Sequence, residues 1–154
     1  MDIGLFFHFV RNCDIHKISF FTFSYSTGCM MNSSVHFTLS EKKGRYLISV
    51  KPDQVPEEET FHGEAPGGFP QKIESLLKTW RIEKWNGFHK INKMVMDGDG
   101  FSLRVRFHNG KTIFAHGYMR YPRHFPELRA ALDAAFLPFF SGRSSDSHPD
   151  KCSV

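Results

Sequence analysis

Cysteine is scarce in this chain. Cys13, Cys29 and Cys152 are odd in number and far apart, with no CxxC or other paired spacing, so neither a disulfide framework nor a zinc finger is indicated. Such thiols sit most easily in a reducing compartment, and a cytoplasmic location is the expectation. Long hydrophobic runs are missing too, since none approaches the roughly 20 residues that a membrane-spanning helix needs. The N-terminal MDIGLFFHFVRNCDIHK has a short apolar patch, but Asp2, His8, Arg11 and Asp14 interrupt what a secretory signal leaves unbroken. Catalytic signatures are also lacking. No GxSxG, GxxxxGKS/T, HExxH or GxGxxG occurs. Cys29 stands among Ser26, Thr27, Ser33 and Ser34, and a Cys–His pair would need a spatial partner that the spacing does not supply. These absences lean away from an enzyme and imply no cofactor.

What is present is an aromatic, alternating chain. Its 154 residues suit one domain, and 40% hydrophobic with 23% charged residues is ordinary globular usage. Phenylalanine is the anomaly at 17 residues. In ISFFTFSY, Phe21, Phe23 and Tyr25 share one face while Phe20, Thr22 and Ser24 share the other. Val35, Phe37 and Leu39 resume the period of two, and after a turn at 41–44 so do Tyr46, Ile48 and Val50. Three strands in series with short polar connections predict an antiparallel meander.

The stretch 52–70 reads as an acidic loop without core, punctuated by Pro52, Pro56, Pro66 and Pro70. Ile73, Leu76, Leu77 and Trp80 then lie at helical spacing. Trp80 to Phe88 reads as a short strand closed by Asn86-Gly87. Asp97-Gly98-Asp99-Gly100 is a turn, followed by the clean alternation of Phe101, Leu103, Val105 and Phe107 with Ser102, Arg104, Arg106 and His108. KTIFAHGYM is the return strand of a hairpin. A three-residue loop 108–110 pairs Phe107 with Lys111, sends Ile113, Ala115 and Gly117 to the core and leaves His116 beside Arg104 and Arg106. A two-residue loop would turn Phe114 and His116 inward. The first register is preferred because it buries isoleucine and alanine. A last helix carries Phe125, Leu128, Leu132, Ala135 and Phe136, with Pro138 as its stop. The expected fold is α+β: an antiparallel sheet of about five or six strands with two amphipathic helices packed on one face. Residues 1–17 form an N-terminal extension, 18–140 a single domain and 141–154 a disordered tail.

The second half carries a run of landmarks: Trp85-Asn86-Gly87-Phe88, Asp97-Gly98 before Phe101-Ser102-Leu103, Phe107 with Asn109-Gly110, then Ile113, Ala115, Gly117, Pro122, Phe125, Leu128 and Leu132. With Phe23-Ser24-Tyr25-Ser26 and Met30-Met31, these resemble a family of small uncharacterised bacterial proteins, some of them with lipoprotein signals. The likeness spans roughly Ile18 to Phe139. It implies a fold and a bacterial origin, makes Trp85, Gly87, Phe88, Asp97, Gly98, Gly110, Gly117 and Pro122 structural landmarks, and carries over no catalytic residue. Exported members of that family leave location open.

Metal chemistry finds little support. An EF-hand loop starting at Asp97 would next need an oxygen ligand at 101 and glycine at 102, where Phe101 and Ser102 stand, so a turn feeding a strand explains the motif better. His8, Cys13 and His16 match no zinc spacing, and His108, His116 and His124 are spread over three elements. The remaining signal is charge. Lys78 to Arg129 holds eleven cations against four carboxylates, a net +7, while Asp53 to Glu64 carries −5. Arg104, Arg106, His116, Arg120 and Arg123 are therefore the candidate binding residues of a basic sheet face, and a nucleic acid or an acidic protein is the candidate partner. A solvated face partly neutralised by the acidic loop accounts for the same charges without any partner. The alternative function is small-ligand binding, or a hydrolase-like activity, in a pocket between the 26–34 loop and the Trp85–Phe88 turn.

Overall fold

The computed structural model describes residues 17–28, 34–52 and 55–140. The N-terminal extension, Cys29, Met30-Met31 and the tail from 141 lie outside these residues, as do the candidate ligands His8, Cys13 and His16.

Within them the chain runs β1 (Ile18–Ser26), β2 (Ser34–Lys42), β3 (Arg45–Pro52), a 3-10 turn (Glu57–Glu59), β4 (Phe61–Glu64), α1 (Phe69–Thr79), a second 3-10 turn (Ile82–Trp85), β5 (His89–Ile91), β6 (Gly100–Phe107), β7 (Thr112–Tyr118) and α2 (Phe125–Phe140). The strands form one sheet of seven in the order β4-β3-β2-β1-β6-β7-β5. All pairs are antiparallel except the edge strand β5, which runs parallel to β7. The meander β1-β2-β3 and the three-residue 108–110 loop are as expected: the Phe107 N–H donates to the Lys111 carbonyl at 2.9 Å, and Arg106 lies opposite Thr112.

The sheet has seven strands where five or six were expected; β4 and β5 are the ones the sequence did not show, and each has a reason for being hard to see. β5 is three residues long with every one exposed, so it has no hydrophobic period. β4 falls inside the stretch read as a coreless acidic loop. Phe61 lies opposite Val50 and stacks on Phe139, with ring centroids 5.6 Å apart, so that stretch does contribute to the core. Trp80–Phe88, read as a strand, is instead the end of α1 and a 3-10 turn. Ile82 and Trp85 are three residues apart, which is one 3-10 turn, and both are buried.

Both helices lie on one face. Phe21, Phe23, Phe37, Leu39, Leu103 and Val105 point toward them. On α2, Leu128, Leu132 and Phe136 are fully buried, and Phe136 stacks on Phe37 with centroids 4.8 Å apart. On α1, Ile73 and Leu77 are buried whereas Leu76 and Trp80 sit at the margin. Glu74 of α1 accepts the Ile18 N–H at 3.0 Å, where an irregularity between Ile18 and Phe20 interrupts the β1–β6 ladder. Pro138 does not stop α2, which runs on to Phe140. Proline has no N–H for the carbonyl one turn back. Phe139 nevertheless holds the last turn against the core, edge-on to Phe69 at 5.3 Å and stacked on Phe61.

Candidate functional site

Among the described residues, no helix covers the second face of the sheet. Alternation sends every second side chain there, and cross-strand register arranges those side chains in rows. One row reads His36, Ser24, Ser102, His116, His89 across β2, β1, β6, β7 and β5. The next reads Thr38, Thr22, Arg104, Phe114, and beyond it Ser40, Phe20, Arg106 and Thr112. Across the four central strands this face presents no carboxylate.

The short serines open a trough of about 510 Å³ between the two histidine walls, with Ser26 and Tyr118 at its end. The His116 ring stacks on His89, with centroids 5.2 Å apart, and its Nδ1 is buried without a hydrogen-bond partner among the described residues. Arg104 lies over the Phe114 ring at 5.5 Å, and Phe114 is 42% exposed. Arg104 and Arg106 are exposed, and neither enters an ion pair among the described residues. The acidic side of this face is confined to β4 and the turn before it. There Glu57 takes Lys51 at 2.6 Å and His62 at 3.4 Å, and the Lys51 hydrogen bond holds its carboxyl below the usual range.

The five candidate residues do not form one patch. Arg104, Arg106 and His116 share the uncovered face. Arg120 and Arg123 belong to the connection after β7, and Arg123 is on the helix side, where its carbonyl accepts the Trp85 indole N–H at 3.1 Å. That hydrogen bond helps to build a second cleft of about 570 Å³, on the other side of the edge strand. Its aromatic walls are Trp80, Trp85, Phe88 and Tyr121, and its cations are Arg81, Lys84, Lys90 and Arg123. Ser26 and Ser34 thus line the trough on one face, while Trp85 and Phe88 line a different cleft on the other.

Three landmark residues, Trp85, Phe88 and Pro122, line that cleft, and Asn86-Gly87 anchor the chain between the first two to β7. The Asn86 side chain accepts the Phe114 N–H at 3.1 Å, and Gly87, at φ +80°, donates its N–H to the Phe114 carbonyl at 2.9 Å. The Phe88 carbonyl then accepts the His116 N–H at 2.8 Å, which starts the parallel pairing of β5. Pro122 lines the cleft, and its carbonyl accepts the Phe125 N–H at the head of α2. Asp97-Gly98-Asp99, expected to form a turn together with Gly100, is a bend followed by irregular chain, and Gly100 already belongs to β6. Gly98 donates its N–H to the Tyr118 hydroxyl at 2.6 Å, and Asp99 accepts the Gly28 N–H at 2.8 Å. Gly110 closes the β6–β7 hairpin at φ +85°.

The histidine–serine row was not legible in sequence, because it is completed only by pairing of β1 with β6 and of β5 with β7, which are not consecutive in the chain. The cleft left a partial signal: Arg81, Lys84 and Lys90 lie in the +7 stretch, but a strand reading of 80–88 scattered them over two faces. Among the described residues no helix is long and apolar enough to cross a membrane, and no cluster of three or more His, Cys, Asp or Glu side chains could hold a metal. In comparisons with known proteins, no family model and no curated protein matches this chain.

Proposed function

We propose that this protein is a non-enzymatic binding module that engages single-stranded nucleic acid on the uncovered sheet face. The observation that carries the proposal is a four-strand face without a carboxylate, on which Arg104, Arg106 and the exposed Phe114 stand side by side. Unpaired arginines offer forked donors to phosphates, and an exposed ring among them offers a base something to stack on. Exposure of a large ring on a flat sheet costs burial elsewhere, which a partner's base would recover. The trough beside them gives polar hydroxyl and imidazole edges for hydrogen bonds to the same ligand. The likeness to small bacterial α+β proteins belongs to this reading as well, and it adds no site residue.

The test is binding of a single-stranded oligonucleotide across a salt series. Removing one arginine–phosphate interaction should lower the slope of log affinity on log salt by about 0.7. Arg104→Ala/Arg106→Ala should therefore flatten the slope, and Phe114→Ala should weaken binding with the slope unchanged. A double mutant with wild-type affinity and slope would remove the nucleic-acid reading, as would wild-type protein that stays free at low salt.

A further inference from the structure

The second cleft lies apart from the uncovered face, and its lining has a chemistry of its own. Four cations converge there with four aromatic rings, and none of Arg81, Lys84, Lys90 and Arg123 enters an ion pair among the described residues. Of the residues lining the cleft, His124 does meet a carboxylate, with its Nδ1 3.8 Å from Glu127. Lys90 follows His89 along β5 and therefore points to the opposite face, where its ammonium sits 5.5 Å over the Phe88 ring. The Trp85 indole is locked by its bond to the Arg123 carbonyl, which ties the 3-10 turn to the connection before α2.

Two residues of this cleft hold backbone conformations that side chains other than glycine rarely adopt. Arg81 has φ +51° and His124 has φ +66°. Such positions cluster at ligand sites, where the fold tolerates strain to aim a side chain. The His124 ring packs against Trp80, with centroids 5.6 Å apart, and this fixes one wall.

A bare inorganic anion would use the cations and leave the rings idle. A neutral aromatic would do the reverse and force four like charges together. Only a ligand with both a planar ring and several negative charges satisfies the whole lining, and about 570 Å³ lies within the usual size of small-molecule sites. We infer that this cleft binds a nucleoside phosphate. Its base lies against Trp80 and Tyr121, and its phosphates meet Arg81, Lys84 and Arg123, the arginines as paired donors. The site is distinct from the uncovered face, because no residue is common to the two.

Tryptophan fluorescence and calorimetry on the full chain test this with ADP, adenosine and pyrophosphate as probes. ADP should bind at least about tenfold tighter than either of its parts, since charge and ring contribute separately. Arg81→Gly/Lys84→Ala should weaken ADP binding about tenfold or more, and Arg123→Ala should act in the same direction, each with a thermal melt to show a folded protein. Arg104→Ala/Arg106→Ala should leave ADP binding unchanged while altering oligonucleotide binding, so failure of one site does not imitate failure of the other. The inference is overturned if ADP does not saturate the protein by about 1 mM, if pyrophosphate binds as tightly as ADP, or if the Arg104/Arg106 variant loses ADP as fully as the cleft variants.

Discussion

Leu103 and Arg104 are neighbours in sequence and opposites in environment. Leu103 is fully buried in β6, between β1 and β7, while Arg104 stands exposed on the other face. Leu103→Ala should cost about 2–5 kcal/mol through the cavity it leaves. Arg104→Ala should stay within about 0.5 kcal/mol of wild type, since the side chain is exposed and has no ion pair among the described residues. Urea melts of the two variants check this, and a reversed order would invert the face assignment of β6. Asp133 is the residue whose behaviour sequence could not announce. It lies on α2 near Tyr25, whose hydroxyl donates to Oδ2 at 3.4 Å, and its other oxygen is buried without a partner among the described residues. Burial raises its pKa above the usual carboxylate range, an effect that Arg129 only partly offsets. A carboxyl whose folded pKa is raised favours the fold while protonated, and that advantage fades as pH climbs through the folded pKa. Asp133→Asn should therefore be more stable than wild type at neutral pH, with the difference shrinking toward pH 3. Melts of both proteins across that range measure it, and a difference that grew on acidification would contradict the assignment.

Among the elements, β7 depends most on one small residue. A methyl group at Gly117 would fall on the carbonyl oxygen of Arg120 and against the Phe101 ring. Gly117→Ala should destabilise by about 1–3 kcal/mol, because the crowding is with backbone as well as ring. A thermal melt within a degree of wild type would show that the 119–124 connection can yield. The strands rich in alternation were readable because burial on one face imposes a period of two, and a slip would have exposed every phenylalanine. Two shorter elements escaped for the opposite reason. β5 has no buried side chain of its own and is paired to β7 through its backbone, and the 82–85 turn, with only Ile82 and Trp85 buried, is too short to set a period. The last turn of α2 shows a local rule overridden. Pro138 is a poor helix residue, yet the rings of Phe61 and Phe69 reward continuation to Phe139.

At the scale of the molecule, β1 is the hinge of the topology. It pairs on one side with β2, which follows it directly, and on the other with β6, which arrives some 80 residues later. Neither the meander nor the β6–β7 hairpin can complete the sheet without it, and α2 packs on rings from each half, Phe136 on Phe21 and Phe37 and Phe125 on Phe101. Unfolding should thus be a single cooperative event, with far-UV circular dichroism and tryptophan fluorescence transitions superimposed. A fluorescence transition that preceded the loss of secondary structure would mean that the Trp80–Trp85 side opens separately. Charge is also divided at this scale. The described part of the acidic segment, residues 55–64, lies along the β4 edge, where Glu57 is taken up by Lys51 and His62, at the far side of the sheet order from β6 and its Arg104 and Arg106.

Sequence alone determined the alternating strands, the two amphipathic helices and the outward phase of Arg104 and Arg106; it favoured the three-residue loop at 108–110 that leaves His116 beside them, without fixing that register. Each of these follows from a local period set against a single buried face. Tertiary structure decided that β1 pairs with β6 and β5 with β7, and thereby which polar side chains share a row. His36 and His116 are 80 positions apart in sequence, yet they face each other across Ser24 and Ser102 because β1 and β6 pair in one register. The same holds for the cleft, where Arg81 and Arg123 meet because the Trp85 indole bonds to a carbonyl 38 residues further on. Long-range pairing has no period along the chain, so the residues it brings together leave no pattern there to read.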